Sequence, residues 1–198
     1  MKKRNLLFLA AIFCLSLAMV SSAHAYTWYS YGGNQYALTT GYESWGTAEA
    51  EAVSQGGHLA TLTDSAQVAY LTSQFANVFA EGYGTNPWYA LFWIGLYDTS
   101  GATTGSFLDK WAWSSGSTSA YWESILYNGG TGWNGVYAYL HTEPHPYAGT
   151  INNDIQYETY SSAYGLIERN ASVPAPAALL LLAPGLAGVG IIRRRFLK

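Results

Sequence analysis

Phe92-Trp93-Ile94-Gly95-Leu96 is the stretch that most restricts what this chain can become. Four large apolar side chains around one glycine, without polar alternation, make a strand buried on both faces. Gly95 is then the point where another segment crosses close to the backbone, or where the strand bulges. Tyr97-Asp98-Thr99-Ser100-Gly101 is turn chemistry. A second strand follows over 107–113, with the Trp111 and Trp113 indoles on one face. This β-turn-β unit is the centre of one small domain, and the rest of the chain is its cover.

The two ends stand outside that domain, which spans residues 26–170. Residues 1–25 have the layout of a secretory signal peptide: Lys2-Lys3-Arg4, an apolar run over 6–20, then Ala23-His24-Ala25 as the small-x-small site where signal peptidase cuts before Tyr26. The single cysteine, Cys14, lies in that run. The mature chain therefore has no disulfide, no thiolate metal site and no cysteine nucleophile. At the other end, over 171–198, Pro174 and Pro176 stop any regular element. Sixteen uncharged residues, 177–192, precede Arg193-Arg194-Arg195. Interrupted by Pro184-Gly185, they are a marginal span for a hydrocarbon core of ~30 Å. The arginines hold their end in the cytoplasm and leave the body outside.

This tail resembles the PEP-CTERM sorting signal of Gram-negative bacteria: a Pro-x-Pro motif (Pro174, Pro176), a short membrane stretch and an arginine cluster (Arg193, Arg194, Arg195). The resemblance implies an inner-membrane anchor before processing, an exosortase as processing enzyme, and a final place at the cell surface or in the extracellular matrix. It also implies an association with biofilm matrix production. Ala175 stands where that signal usually has glutamate, which leaves the cut position open.

Stripped of its ends, the chain is strongly acidic. All twelve acids lie between Glu43 and Glu168, and only Lys110 and Arg169 oppose them there, a net charge of −10. Such a surface repels phosphate backbones and excludes nucleic acid as a partner.

Within the body, residues 26–40 read as a hairpin around Gly32-Gly33-Asn34. Ser44 caps a first helix whose buried face is Trp45, Ala48 and Ala52, with Glu49 and Glu51 outside and Gly56-Gly57 closing it. A short strand is expected over 58–62. Thr63 or Asp64 caps a second helix, with Gln67 placed as in a capping box and Val68, Leu71 and Phe75 inward. Residues 82–87 form a loop. Residues 114–134 have neither helical nor strand period, and a loop that long in a small domain is functional or disordered. Strands are expected over 136–140 and 164–168, with Asn152-Asn153-Asp154 as a polar turn between them. Helices and antiparallel strands segregate into an α+β fold.

Four motifs in order carry a second resemblance. Trp45-x-x-Ala48 leading to Gly56-Gly57-His58-Leu59-Ala60, then Trp93-Ile94-Gly95-Leu96, then Trp111-x-Trp113-x-x-Gly116-Ser117, then Tyr164-Gly165-Leu166-Ile167-Glu168, resemble the C-type lectin-like domain over residues 31–169. The resemblance implies that first and last strands pair, that two helices flank the sheets, and that the long loop carries a ligand. That family bridges its first helix to its last strand with a disulfide; the corresponding positions here are Ala52 and Ile167. A bridge stabilises by ~2–4 kcal/mol and a buried Ile by ~1.5–3 kcal/mol, so an apolar contact can replace it if the two residues lie close.

The same resemblance implies calcium as a cofactor, held with sugar hydroxyls in the long loop by a Glu-Pro-Asn-type tripeptide and a Trp-Asn-Asp turn. The turn is present in altered form as Asn152, Asn153 and Asp154. The tripeptide is missing from 124–131, while Glu143-Pro144-His145, which looks like it, follows the strand instead of preceding it. A second ion position involves Glu168 with helix-two residues, where Gln67 replaces an acid. His141, Glu143 and His145, alternating on an extended segment, are a further candidate for zinc, since Pro144 forbids the helical arrangement. His58 reads as structural. No nucleophile elbow, triad or carboxylate pair is legible, and no enzyme is expected. Tyr121, Trp122, Tyr127, Trp133 and Asn134 are candidate sugar-binding residues of the loop, whose rings stack on pyranose faces or fill the loop's own small core. Tyr29, Tyr36, Trp45, Trp93, Trp111 and Trp113 belong to the main core. The expected function is an exported module recognising glycan, or, as the alternative, a protein-binding or structural matrix module.

Overall fold

Gly32 and Gly33 both adopt positive φ, 58° and 86°. That is the backbone sense of a two-residue turn whose twist matches paired strands. Tyr29–Tyr31 (β1) and Asn34–Leu38 (β2) form the expected hairpin across it. The structure, a computed structural model, describes residues 25–100, 110–127, 135–153 and 162–171. The expectations at Ala23, Trp133, Asn134, Asp154, Pro174, Pro176, Arg193, Arg194 and Arg195 lie outside the described residues, as does most of the sorting tail. Among the described residues no helix is long and apolar enough to cross a membrane.

Trp45–Ser54 forms helix α1, and Ser44 Oγ accepts from the Thr47 amide as its cap. Gly56, at φ 81°, ends it. Its amide bonds to Val53 O, and that of Gly57 bonds to Ala52 O, the pair of backward bonds that closes a helix through a left-handed residue. His58–Leu59 (β3) follows. The strand expected over 58–62 is cut short because Ala60 leaves the ladder: it donates to Leu166 O and accepts from Gly95 N, linking two sheets. Ser65–Gln74 forms α2, capped by Asp64. Gln67 Oε1 accepts from Thr63 N and not from the capping residue, so the box is shifted by one position.

Leu91–Asp98 (β4) is buried without a break from Leu91 to Leu96. It is flanked by Trp111–Trp113 (β5) and Tyr137–His141 (β6), and Ile151–Asn152 (β7) adds to the far side of β6. This sheet runs β5-β4-β6-β7. The last strand, Leu166–Asn170 (β8), completes a first sheet of order β1-β2-β8-β3. All ladder pairs are antiparallel. N-terminal and C-terminal strands are therefore neighbours, with Tyr36 opposite Glu168.

Gly95 explains how the sheets join. A Cβ there would lie 2.5 Å from Leu59 O and 2.8 Å from Ser114 Oγ. The β4–β6 register also shifts between Trp93 and Tyr97. The close approach occurs at the glycine itself, and the register shift falls in the segment that contains it.

The apolar interior divides in two. One cluster joins Tyr36, Val68, Leu71, Phe75, Phe92, Ile94, Trp113 and Leu140. The other joins Trp45, Ala48, Ala52, Leu59, Trp93, Tyr139 and Ile167. Ala52 and Ile167 are both fully buried in the second cluster, so an apolar contact region stands between helix and last strand. The buried indoles are satisfied: Trp45 Nε1 donates to Ile94 O at 2.7 Å and Trp93 Nε1 to Glu43 O at 3.0 Å. Tyr29 and Trp111 are half-buried against the first cluster.

Candidate functional site

Glu168, expected as an ion ligand, is neither free nor exposed. Thr61 N donates to Oε2 at 2.7 Å, while Tyr36 OH and Asn34 Nδ2 donate to Oε1. Burial raises its pKa above the ordinary 4.5, partly opposed by these bonds. Gln67 Nε2 donates to Tyr36 OH and to Thr61 O, both at 2.9 Å. Its Oε1 accepts from Thr63 N and Oγ1. All four bonds of one amide are thus used. Calcium needs oxygens turned toward it; here N–H and O–H donors fill that space. These residues do not fit the ion.

The second expected ion set is also altered. Asn152 lies in β7 and Asn153 is buried, so neither belongs to an open polar turn. Asn152 Oδ1 accepts from Asn153 N, and Asn153 Nδ2 donates to Gly135 O at 2.6 Å. The Asn153 side-chain amide ties the end of the sheet to the start of the β6 segment. The structure does not bring Glu168 together with them: it sits in the first sheet and they in the second.

His141, Glu143 and His145 do not share one face. The Glu143–Pro144 peptide is cis and the chain turns back, leaving Glu143 exposed. The two imidazoles, both buried, stack at 3.8 Å with 7° between planes. Burial lowers both pKa values, His141 to about 3 with the neighbouring His145 as a second cause. His141 Nδ1 pairs with Thr150 Oγ1, and His145 Nδ1 accepts from Tyr147 N. Neutral, hydrogen-bonded imidazoles hold the hairpin together, and among the described residues no group of three His, Cys, Asp or Glu converges on a metal position.

Two helix acids read as outward turn inward. Glu49 accepts from Leu59 N and Ser114 Oγ and pairs with His58 Nδ1 at 2.6 Å. The Glu49 carboxylate thus bridges the Ser114 hydroxyl and the His58 imidazole. Glu51 accepts from Tyr26 OH, Thr40 N and Thr40 Oγ1. Beside it, burial and the Glu51 charge raise the Glu43 pKa to about 7. Glu43 Oε2 is buried where no donor reaches it; a proton held on Glu43 lets the two carboxyls bond. The Tyr26 hydroxyl is pushed up by burial and by Glu51. An open cleft of about 470 Å³ nearby, lined by Tyr26, Tyr29, Leu38, Phe75 and Val78, has no carboxylate or imidazole in its walls.

The long loop is ordered where described. Among its described residues the one regular piece is a 3-10 turn, Tyr121–Ile125. Tyr121, Trp122, Ile125 and Leu126 are half-buried against the first core cluster. Trp113 Nε1 donates to Ser119 O, and Ser119 Oγ donates to Leu62 O. Tyr121 and Trp122 thus mount the loop, whereas Tyr127 points toward a different set of rings. It packs on Tyr147 at 4.8 Å and edge-on to His141 at 5.8 Å.

Those rings lead to two that sequence reasoning did not single out. Trp88, in the 3-10 turn Pro87–Tyr89, is 54% exposed, and Tyr147 is 44% exposed. The available signal was Asn86-Pro87: the Asn86 side chain caps the turn through Trp88 N at 3.2 Å and presents the indole at its tip.

No protein-family model matches the chain, and no curated protein matches it in sequence. Solved structures do. The carbohydrate-recognition domain of the mouse scavenger receptor C-type lectin superposes with TM-score 0.54 at 16% identity, over 78% of this chain and 100% of that one. Human lithostathine gives 0.53 at 19%, over 72% and 96%. A calcium-independent type II antifreeze protein gives 0.50 at 18%, over 75% and 98%. Two helices, two small antiparallel sheets with neighbouring termini and a long mounted loop are the C-type lectin-like fold, and this chain has it.

Proposed function

We propose that the chain is an exported binding module that recognises carbohydrate at the cell surface or in the extracellular matrix, and that it needs no calcium to do so. The observation that carries this reading is the long loop: among its described residues only Tyr121–Ile125 is regular, yet its own aromatics Tyr121 and Trp122 fix it to the core. Binding residues concentrate on loops held by a rigid scaffold. The likeness to a carbohydrate-recognition domain supports the sugar as ligand. The saturated bonding around Glu168 and Gln67 supports independence from calcium, and a calcium-independent protein is among the solved structures of this fold. On this reading Tyr127, Trp133 and Asn134 are among the residues that meet the sugar; the last two lie outside the described residues.

The signal peptide and the sorting tail, with its exosortase and signal peptidase, supply the export half of the proposal. A glycan array probed with and without chelator tests the binding half. Glycan signals that persist in chelator are the expected outcome. Signals abolished by chelator would restore calcium, and silence across the array would turn the module toward a protein partner. For the export half, mass spectrometry of the secreted product should find Tyr26 as its first residue.

A further inference from the structure

The tip of the β6–β7 hairpin carries an aromatic surface that neither core cluster absorbs. Trp88 and Tyr147 lie 6.0 Å apart at 58°. Tyr127 packs on Tyr147 at 4.8 Å. His145 meets Trp88 edge-on at 5.6 Å and 84°, and stacks on His141. The four exposed large apolar residues among those described are Tyr42, Val53, Trp88 and Tyr147, and only the last two are adjacent by ring contact.

We propose that Trp88 and Tyr147, backed by Tyr127 and the stacked His141–His145 pair, are a stacking platform for a neutral pyranose. The inference rests on the glycan-binding reading above and gives it a place. The platform stands at the closed end of the hairpin, while Asn153 lies past β7 at its open end, tied to Gly135.

Three observations favour it. First, the platform is rigid before any ligand arrives. Thr142 Oγ1 donates to Thr72 O and Phe75 O, Thr142 N to Ala90 O, and Asn77 N to Glu143 O. Within the tip, His145 N donates to Thr142 O and Gly149 N to His141 O. Rings mounted on backbone held this way have less freedom to lose on binding. Second, the surface is small. Two exposed rings fall far short of the ~800 Å² per partner of a standard protein interface, but suit the C–H face of one sugar ring, with polar groups at the rim for hydroxyls. Glu143, exposed on the same turn, is such a group. Third, the charge selects against acidic sugars. Both imidazoles stay neutral through burial, Glu143 is an acid, and the body carries twelve acids against two bases. Nothing at the tip would receive a uronate or a sulfate.

Native gel electrophoresis of the full chain through gels containing soluble neutral glucan, galactomannan or xylan, with polygalacturonate as the acidic comparison, tests the proposal. At least one neutral polysaccharide should retard the wild type while polygalacturonate does not. The double variant Trp88→Ala, Tyr147→Ala should lose at least about tenfold in affinity, and Trp88→Phe should retain most of it. Because both side chains are exposed, melting of the double variant by circular dichroism should stay close to wild type. If the wild type binds and the folded double variant binds equally well, the platform is wrong and the glycan reading stands. If no neutral polysaccharide retards the wild type, both fall.

Discussion

Gln67 Nε2 donates to the Tyr36 hydroxyl at 2.9 Å, and that hydroxyl donates onward to Glu168. The amide thereby joins α2 to the two paired terminal strands. Replacing Gln67 by Glu removes the donor and sets a second carboxylate beside Glu168. We expect Gln67→Glu to destabilise the domain by about 2–4 kcal/mol. Millimolar calcium should then raise the melting temperature of the variant and leave the wild type unchanged. Thermal melts with and without calcium check this; a wild-type protein stabilised by calcium would contradict the account of that site.

Glu43 makes stability depend on pH in a stated direction. Its folded pKa, about 7, lies above the ordinary 4.5. The folded state therefore holds the proton more tightly, and this contribution is fully present below 4.5 and lost as pH rises through about 7. Above that, two charged carboxylates face one another beside the Tyr26 hydroxyl. Glu43→Gln should melt progressively higher than wild type between pH 5 and pH 8. A difference that stays constant across that window would show that Glu43 does not titrate there.

The hairpin histidines act in the opposite sense. His141 is held at about 3 against an ordinary 6.5. The unfolded chain takes up a proton below 6.5 that the folded chain refuses, so stability falls as pH drops toward 3. His141→Asn, which keeps a donor toward Thr150, should flatten that acid limb in melts taken between pH 7 and pH 4.

Gly95 and Gly46 should respond to alanine in opposite ways. At Gly95 the new Cβ meets Leu59 O and Ser114 Oγ, and a loss of about 3 kcal/mol is expected from forced shifts in a packed site. At Gly46, in α1 and facing open space, alanine should stabilise by about 0.5–1 kcal/mol. Denaturant midpoints of the two variants check the contrast.

Most of the scaffold was legible in the sequence because its signals are local. The glycine pair of the first hairpin, Ser44 and Asp64 as caps, Gly56 as a stop and the unbroken apolar run of β4 each act through their own neighbours. What period alone misread were side chains that reach across. Helical spacing put Glu49 and Glu51 outside, yet both bend back to bind the backbone amides of Leu59 and Thr40. Strand alternation put His141, Glu143 and His145 on one face, but the chain turns at 143–144 and stacks the two imidazoles instead. Trp88 escaped notice because a lone indole beside a proline carries no periodic signal. Only its neighbours in space, His145 and Tyr147, give it meaning.

The most direct measurement is chemical-shift mapping by NMR of the domain titrated with whichever neutral glycan it binds, in the presence of chelator. The account expects shifts concentrated on Trp88, Tyr127 and residues 142–150, with Asn152, Asn153 and Glu168 unmoved. Shifts that require added calcium and centre on Asn152 and Asn153 would contradict it.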